Sequence, residues 1–141
     1  MSPTARCYLR AIRLRCPHCG GGPVFTSWFR MCPACPACGL HFDREPEGGY
    51  WVGSYTINLF ATEALLAAIF VIGLVLTWPE PAWGRIVAAD IAAAIAFPSL
   101  FFPFSKTLFL AVDLTFRPTE PGDFEAPEEL VPRARPRAGG R

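Results

Sequence analysis

SYTINLFATEALLAAIFVIGLVLT, residues 54–77, is a run of 24 residues in which Glu63 is the one charged side chain. As a helix it measures about 36 Å, enough to cross a hydrocarbon core of roughly 30 Å with some tilt. Eight residues follow, Trp78-Pro-Glu-Pro-Ala-Trp-Gly-Arg85, whose prolines and glycine break a helix. Residues 86–104 then supply 19 more with Asp90 as their single charge, about 28 Å of helix. Pro98 and Pro103 are expected to kink or end this second helix. Tyr50, Trp51, Tyr55, Trp78 and Trp83 gather at the ends of the two runs, where aromatic rings settle at a membrane–water interface. Two transmembrane spans are therefore expected rather than the buried helical pair of a soluble protein.

Composition agrees. Hydrophobic residues make up 52% of the chain and charged residues 18%, against about 25% charged in ordinary globular chains. The formal net charge of +1 provides no basic field for nucleic acid, and no nucleic-acid partner is expected. Arg6, Arg10, Arg13, Arg15, Arg30 and Arg44 precede the first run, six Lys/Arg lie from Lys106 onward, and Arg85 alone falls between the runs. The positive-inside rule then places both termini in the cytoplasm and the connector outside, a multi-pass protein of the inner (cytoplasmic) membrane. The N-terminus lacks the continuous apolar run of a cleavable signal peptide, so none is expected.

Upstream of the spans the chain divides again. Residues 1–15 read as a basic amphipathic lead, with Arg6, Arg10 and Arg13 at helical spacing beside Leu9, Ile12 and Leu14. Residues 16–49 are rich in Cys, Gly and Pro and hold Cys16-Pro-His-Cys19-Gly and Cys35-Pro-Ala-Cys38-Gly. Two C-x2-C pairs at this separation match a four-thiolate zinc site, and a reducing compartment favours thiolates over disulfides. The glycine after each pair lets the turn close, and a head this small needs the metal's folding energy. Val24–Phe29 suits a hairpin strand. Cys16, Cys19, Cys35 and Cys38 are thus the expected zinc ligands. Cys32 makes a second, overlapping pair with Cys35, as a spare thiol or an alternate ligand. Cys7, His18 and His41 are read as bystanders. A closed four-thiolate site leaves no position for a catalytic water, and no phosphate loop or nucleophile–base set appears, so the chain is not expected to be an enzyme.

Ionisable groups inside a span are costly and carry a functional hypothesis by default. Glu63 falls near the bilayer centre and Asp90 about 9 Å from the outer edge, within a few ångströms of each other in depth. Asn58 and Thr62 stand one turn apart beside Glu63. These groups either bind helices together or handle ions or protons, the latter requiring a homo-oligomer. Ala64/Ala68 and Ala88/Ala92/Ala96 follow small-xxx-small spacing, which permits close approach within a chain or between copies. Past the second span, Lys106 and Asp113 share a face, as a membrane-interface continuation or as a charged surface on which the head docks. Residues 117–141 read as a disordered tail, too poor in apolar surface to offset ordering entropy.

The quoted cysteine pairs, Arg44-Glu-Pro-Glu-Gly-Gly-Tyr-Trp-Val-Gly-Ser54 and Pro103-Phe-Ser-Lys-Thr-Leu-Phe-Leu-Ala-Val-Asp113 together resemble a bacterial membrane family, domain of unknown function 983. The resemblance covers residues 10–118, with Cys32 as a departure from its pattern. It implies a zinc-ribbon-like head, a two-helix transmembrane hairpin over residues 50–116, and a setting beside haem–copper oxidase assembly. Residues and resemblance together lead to a zinc-binding adaptor or assembly factor for a respiratory oxidase complex, in contact with membrane lipid and a protein partner. The alternative is a metal- or redox-handling membrane protein using the Cys32/Cys35/Cys38 thiols.

Overall fold

The computed structural model describes residues 2–44 and 51–124. In chain order the elements are α1 (Pro3–Ile12), β1 (Phe25–Ser27), β2 (Arg30–Met31), α2 (Val52–Leu76), α3 (Trp83–Phe116) and a 3-10 turn at Pro121–Asp123. Residues 45–50, where head and first span were expected to meet, and residues 125–141 of the expected tail lie outside the described residues.

Ser2 caps α1 by accepting the Ala5 amide at 3.2 Å, with Pro3 in the first turn where its missing N–H costs nothing. Between α1 and α2, β1 and β2 pair antiparallel around a turn whose tip is Trp28-Phe29.

The two long apolar helices pack against each other in opposite directions. Gly53 near the start of α2 meets Phe109 near the end of α3, Asn58 donates to the Pro98 carbonyl at 3.0 Å, and Gly73 meets Ile86. Any Cβ at Gly53 would overlap the Phe109 ring, so this close approach requires glycine. The alanine stripes do not make this contact. Ala64, Ala68, Ala88, Ala92 and Ala96 are all exposed.

α2 matches the first expected run closely, but α3 does not stop at residue 104; it continues unbroken through Pro98 and Pro103 to Phe116. Pro103 removes the N–H that the Ser99 carbonyl would accept in a regular helix. The Trp28 indole N–H replaces it, reaching across from the β1–β2 turn to donate to Ser99 O at 3.0 Å. The Ser105 and Thr107 hydroxyls donate to carbonyls of the same stretch, Phe102 and Pro103, at 2.8 and 3.1 Å. At Ser99 a side-chain donor therefore stands in for the backbone, as happens where proline interrupts helices in apolar surroundings.

The head is not a separate core. Cys16, Val24, Cys35, Leu40 and Phe42 are buried in one cluster with Leu110 of α3, and Phe109, Leu114 and Phe124 pack on its margin. Fully burying each large aliphatic or aromatic side chain contributes about 1.5–3 kcal/mol, so α3 supplies part of what the small head lacks. Leu110 of α3, in the expected helical region 50–116, thus packs into the core of the expected head, residues 16–49. Residues 117–124, the first part of the expected tail, return to the head. Phe124 bridges to Leu40, the His41 amide donates to the Asp123 carbonyl at 2.8 Å, and Glu120 and Asp123 cap the 3-10 turn reciprocally. A few apolar and charged anchors suffice because the head offers them a preformed surface.

Candidate metal centre

Each cysteine pair folds into the same tight turn. The Gly20 amide donates to the Cys16 carbonyl and the Gly39 amide to the Cys35 carbonyl, both at 2.8 Å, with the glycines at φ 76° and 75°. That left-handed backbone is cheap only for glycine, which explains the residue after each pair. The turns are closed from behind by Cys16 N–H to Gly22 O at 3.0 Å and Cys35 N–H to Leu40 O at 2.8 Å. Arg10 of α1 braces the first turn, its Nη1 donating to the carbonyls of Pro17 at 3.3 Å and His18 at 2.6 Å.

The result is one cluster: the sulfurs of Cys16, Cys19, Cys35 and Cys38 all lie within 4.8 Å of one another. Sulfurs set tetrahedrally at a metal–sulfur distance of about 2.3 Å stand roughly 3.8 Å apart. The Cys19–Cys35 and Cys16–Cys38 separations are 3.6 and 4.0 Å, on either side of that value. The donor set and its spacing thus suit a metal ion. Two of the four sulfurs belong to buried residues and two to half-buried ones.

Without a metal, the four thiols differ. Burial pushes Cys16 well up, with repulsion from the three neighbouring sulfurs adding to it, and pushes Cys38 up to about 11. Burial acts on Cys19 in the same direction. There, however, the Gly21 amide at 3.3 Å and the neighbouring thiols outweigh it and bring Cys19 down to about 7. A cation among the four would remove the penalty on charged sulfur and bind the thiolate forms.

Cys32 is not in the cluster. It is half-buried against the apolar core, and its amide donates to the Val24 carbonyl at 2.9 Å. Cys7 lies on α1 facing Ala111 of α3, its thiol raised by burial and partly restored by Arg10. His18 packs edge-on against Phe124, ring centres 5.4 Å apart, and His41 joins the bridge to Ala34.

Asn58, Thr62 and Glu63 line one groove between the helices, and Asp90 is not among its lining residues. Asn58 faces α3 and accepts from buried Thr62, which also donates to the Asn58 carbonyl at 2.8 Å. Glu63 is exposed on a lateral groove. Asp90 is half-buried, with Oδ1 enclosed and without a hydrogen-bond partner among the described residues. By the α2–α3 contacts, Asp90 stands level with residues 66–69, roughly 5–9 Å along the axis from Glu63. Their separation in depth is thus somewhat larger than expected.

Lys106 and Asp113 take separate partners. The Lys106 ammonium sits 4.3 Å from the centre of the Trp51 ring. Asp113 is 7% exposed and pairs with Arg44 of the head at 2.8 Å, and Arg44, itself 4% exposed, also holds Asp123 at 2.5 Å and the carbonyls of Arg117 and Pro118. Asp113 thus ties α3 to the head through Arg44. Arg44, Trp28 and Leu110 are the residues that sequence reasoning missed. A lone arginine at the end of the cysteine segment and a lone aspartate late in an apolar run were the available signal for the first.

A family model, Protein of unknown function (DUF983), matches residues 25–113, more than half of the chain, and the chain belongs to that family. No curated protein and no solved structure matches it.

Proposed function

We propose that this member of a family without assigned activity is an integral membrane protein whose zinc-clamped cytoplasmic head is a non-enzymatic docking platform for a protein partner in the membrane. The observation that carries it is the surface of the two long helices. Only 6% of the most apolar 18-residue stretch of α2, and 11% of that of α3, is buried within the chain. Phe60, Val75, Leu76 and Ile95 are 70–78% exposed, and soluble monomers rarely carry apolar surface of this extent, which supports a lipid environment.

The uncovered part of α3 ends where the head begins. From Trp83 to Leu100 the helix measures about 27 Å, close to a hydrocarbon core of roughly 30 Å. From Phe101 to Leu114 no α3 residue is exposed, and this is the stretch that head and α1 pack against. The first half of α3 would cross the bilayer and the second half would carry the head clear of it, with Lys106, Trp51 and Trp28 at the boundary. Arginine placement supports the head side as cytoplasmic, and four thiolates in a reducing compartment support zinc in a ribbon-like head. A closed four-sulfur site supplies shape rather than chemistry, hence a platform rather than an enzyme.

The test uses crosslinking in membranes with wild type and Cys35→Ser. Both should resist alkaline carbonate extraction, and a crosslinked protein partner should be present for wild type and lost for the variant. Release of wild type by carbonate, or a partner retained by Cys35→Ser, would overturn the proposal.

A further inference from the structure

We propose a binding site for a phosphate-bearing small molecule at the junction of α1, the first cysteine turn and the end of α3. A cavity of about 510 Å³ opens there, lined by Arg6, Arg10, His18 and the threonines Thr4, Thr115 and Thr119 among others, and by no carboxylate among the described residues. Arg6 and Arg10 lie one helical turn apart and present two guanidinium groups to one space. Guanidinium forks match phosphate oxygens in paired hydrogen bonds, and the Thr4 and Thr119 hydroxyls add neutral donors, the Thr115 hydroxyl already donating to the Ala111 carbonyl.

The two arginines differ usefully. Arg10 is fixed by the Pro17 and His18 carbonyls, so little freedom is lost when an anion meets its remaining N–H groups. The Arg6 side chain makes no hydrogen bond or ion pair among the described residues and is exposed. An anion would supply the charge that none of the described residues provides there. The volume exceeds what inorganic phosphate alone fills and lies in the range of small-molecule sites, about 300–1,000 Å³.

Phosphate could come from a soluble compound or from a lipid headgroup. On the membrane placement above, Leu114 beside the cavity stands 14 residues beyond Leu100, about 21 Å along α3. That is beyond the reach of headgroups at the apolar boundary, so the soluble source is the one favoured.

The test measures pyrophosphate binding by calorimetry to the full-length, metal-loaded protein in phosphatidylcholine nanodiscs, for wild type, Arg6→Gln and, as a distant arginine, Arg30→Gln. In parallel, enrichment of phosphatidylglycerol around each variant is measured in mixed-lipid nanodiscs. Metal content confirms that each head is folded. Saturable pyrophosphate binding weakened about tenfold by Arg6→Gln and unchanged by Arg30→Gln supports the site with a soluble ligand. The same pattern for phosphatidylglycerol alone supports the phosphate chemistry with lipid as its source. No saturable binding of either, or equal loss in both variants, overturns the proposal.

Discussion

Replacing Arg44 by methionine removes the cation that joins three parts of the chain: the head, the end of α3 through Asp113, and the returning segment through Asp123. The Asp113 side chain is 7% exposed, so it cannot recover full hydration when its partner is lost. Removing one member of a buried pair costs about 3–5 kcal/mol, mostly the penalty of an uncompensated buried charge. Arg117 stands 3.9 Å from Asp113 and is 53% exposed, a weak substitute that moves the expectation toward the lower end. The expected loss is therefore about 3 kcal/mol, or roughly a hundredfold in the opening equilibrium of the head at 1.36 kcal/mol per factor of ten. Hydrogen exchange of metal-loaded protein in nanodiscs reads it directly: amides in residues 30–44 and 117–124 should lose about a hundredfold in protection, while those in the first half of α3 should not change. The double variant Arg44→Met/Asp113→Leu should recover most of the loss, because the orphaned charge has gone with its partner. A single-variant effect below about 0.5 kcal/mol, or no recovery in the double variant, would refute the view that this ion pair holds the head to α3.

Four further outcomes follow from the same contacts. Trp28→Phe should destabilise the head–α3 contact by about 1 kcal/mol through loss of the hydrogen bond to Ser99; in a Pro103→Ala background, where a backbone N–H returns, exchange or thermal unfolding should show a smaller effect. Leu110→Ala, which empties a fully buried position between head and helix, should cost about 2–5 kcal/mol by the same measurements. Metal affinity, measured by chelator competition, should rise with pH at least a hundredfold per unit between about pH 8 and 10, because Cys16 and Cys38 keep their protons there without metal and each must lose one to bind it. Asp123 is held below the usual carboxylate range chiefly by its hydrogen bond to Arg44. Its contribution is therefore complete above about pH 4–5, the ordinary carboxylate range, and is lost as pH falls through the lowered value, which exchange in residues 117–124 at decreasing pH would detect.

The parts of this molecule legible in the sequence are those governed by local chemistry. Cys16, Cys19, Cys35 and Cys38 were identifiable because ligand spacing and the glycine after each pair are local properties. The two apolar helices were identifiable because 18 or more apolar residues have few other uses. What stayed hidden depends on contacts between distant residues. Pro103 reads as a helix stop until Trp28, 75 positions earlier, is known to donate to the carbonyl that proline frees. Residues 117–124 look too polar to order because their anchors, Arg44 and Leu40, lie in the head. Lys106 and Asp113 share a helix face, yet their partners, an aromatic ring and a buried arginine, could not be assigned from spacing alone.

Zinc content per chain in purified wild type, Cys32→Ser and Cys35→Ser tests the metal-clamped head most directly. One zinc per chain in wild type and Cys32→Ser, with none stoichiometrically retained in Cys35→Ser, is the expected result. Zinc kept by Cys35→Ser, or lost from Cys32→Ser, would contradict it.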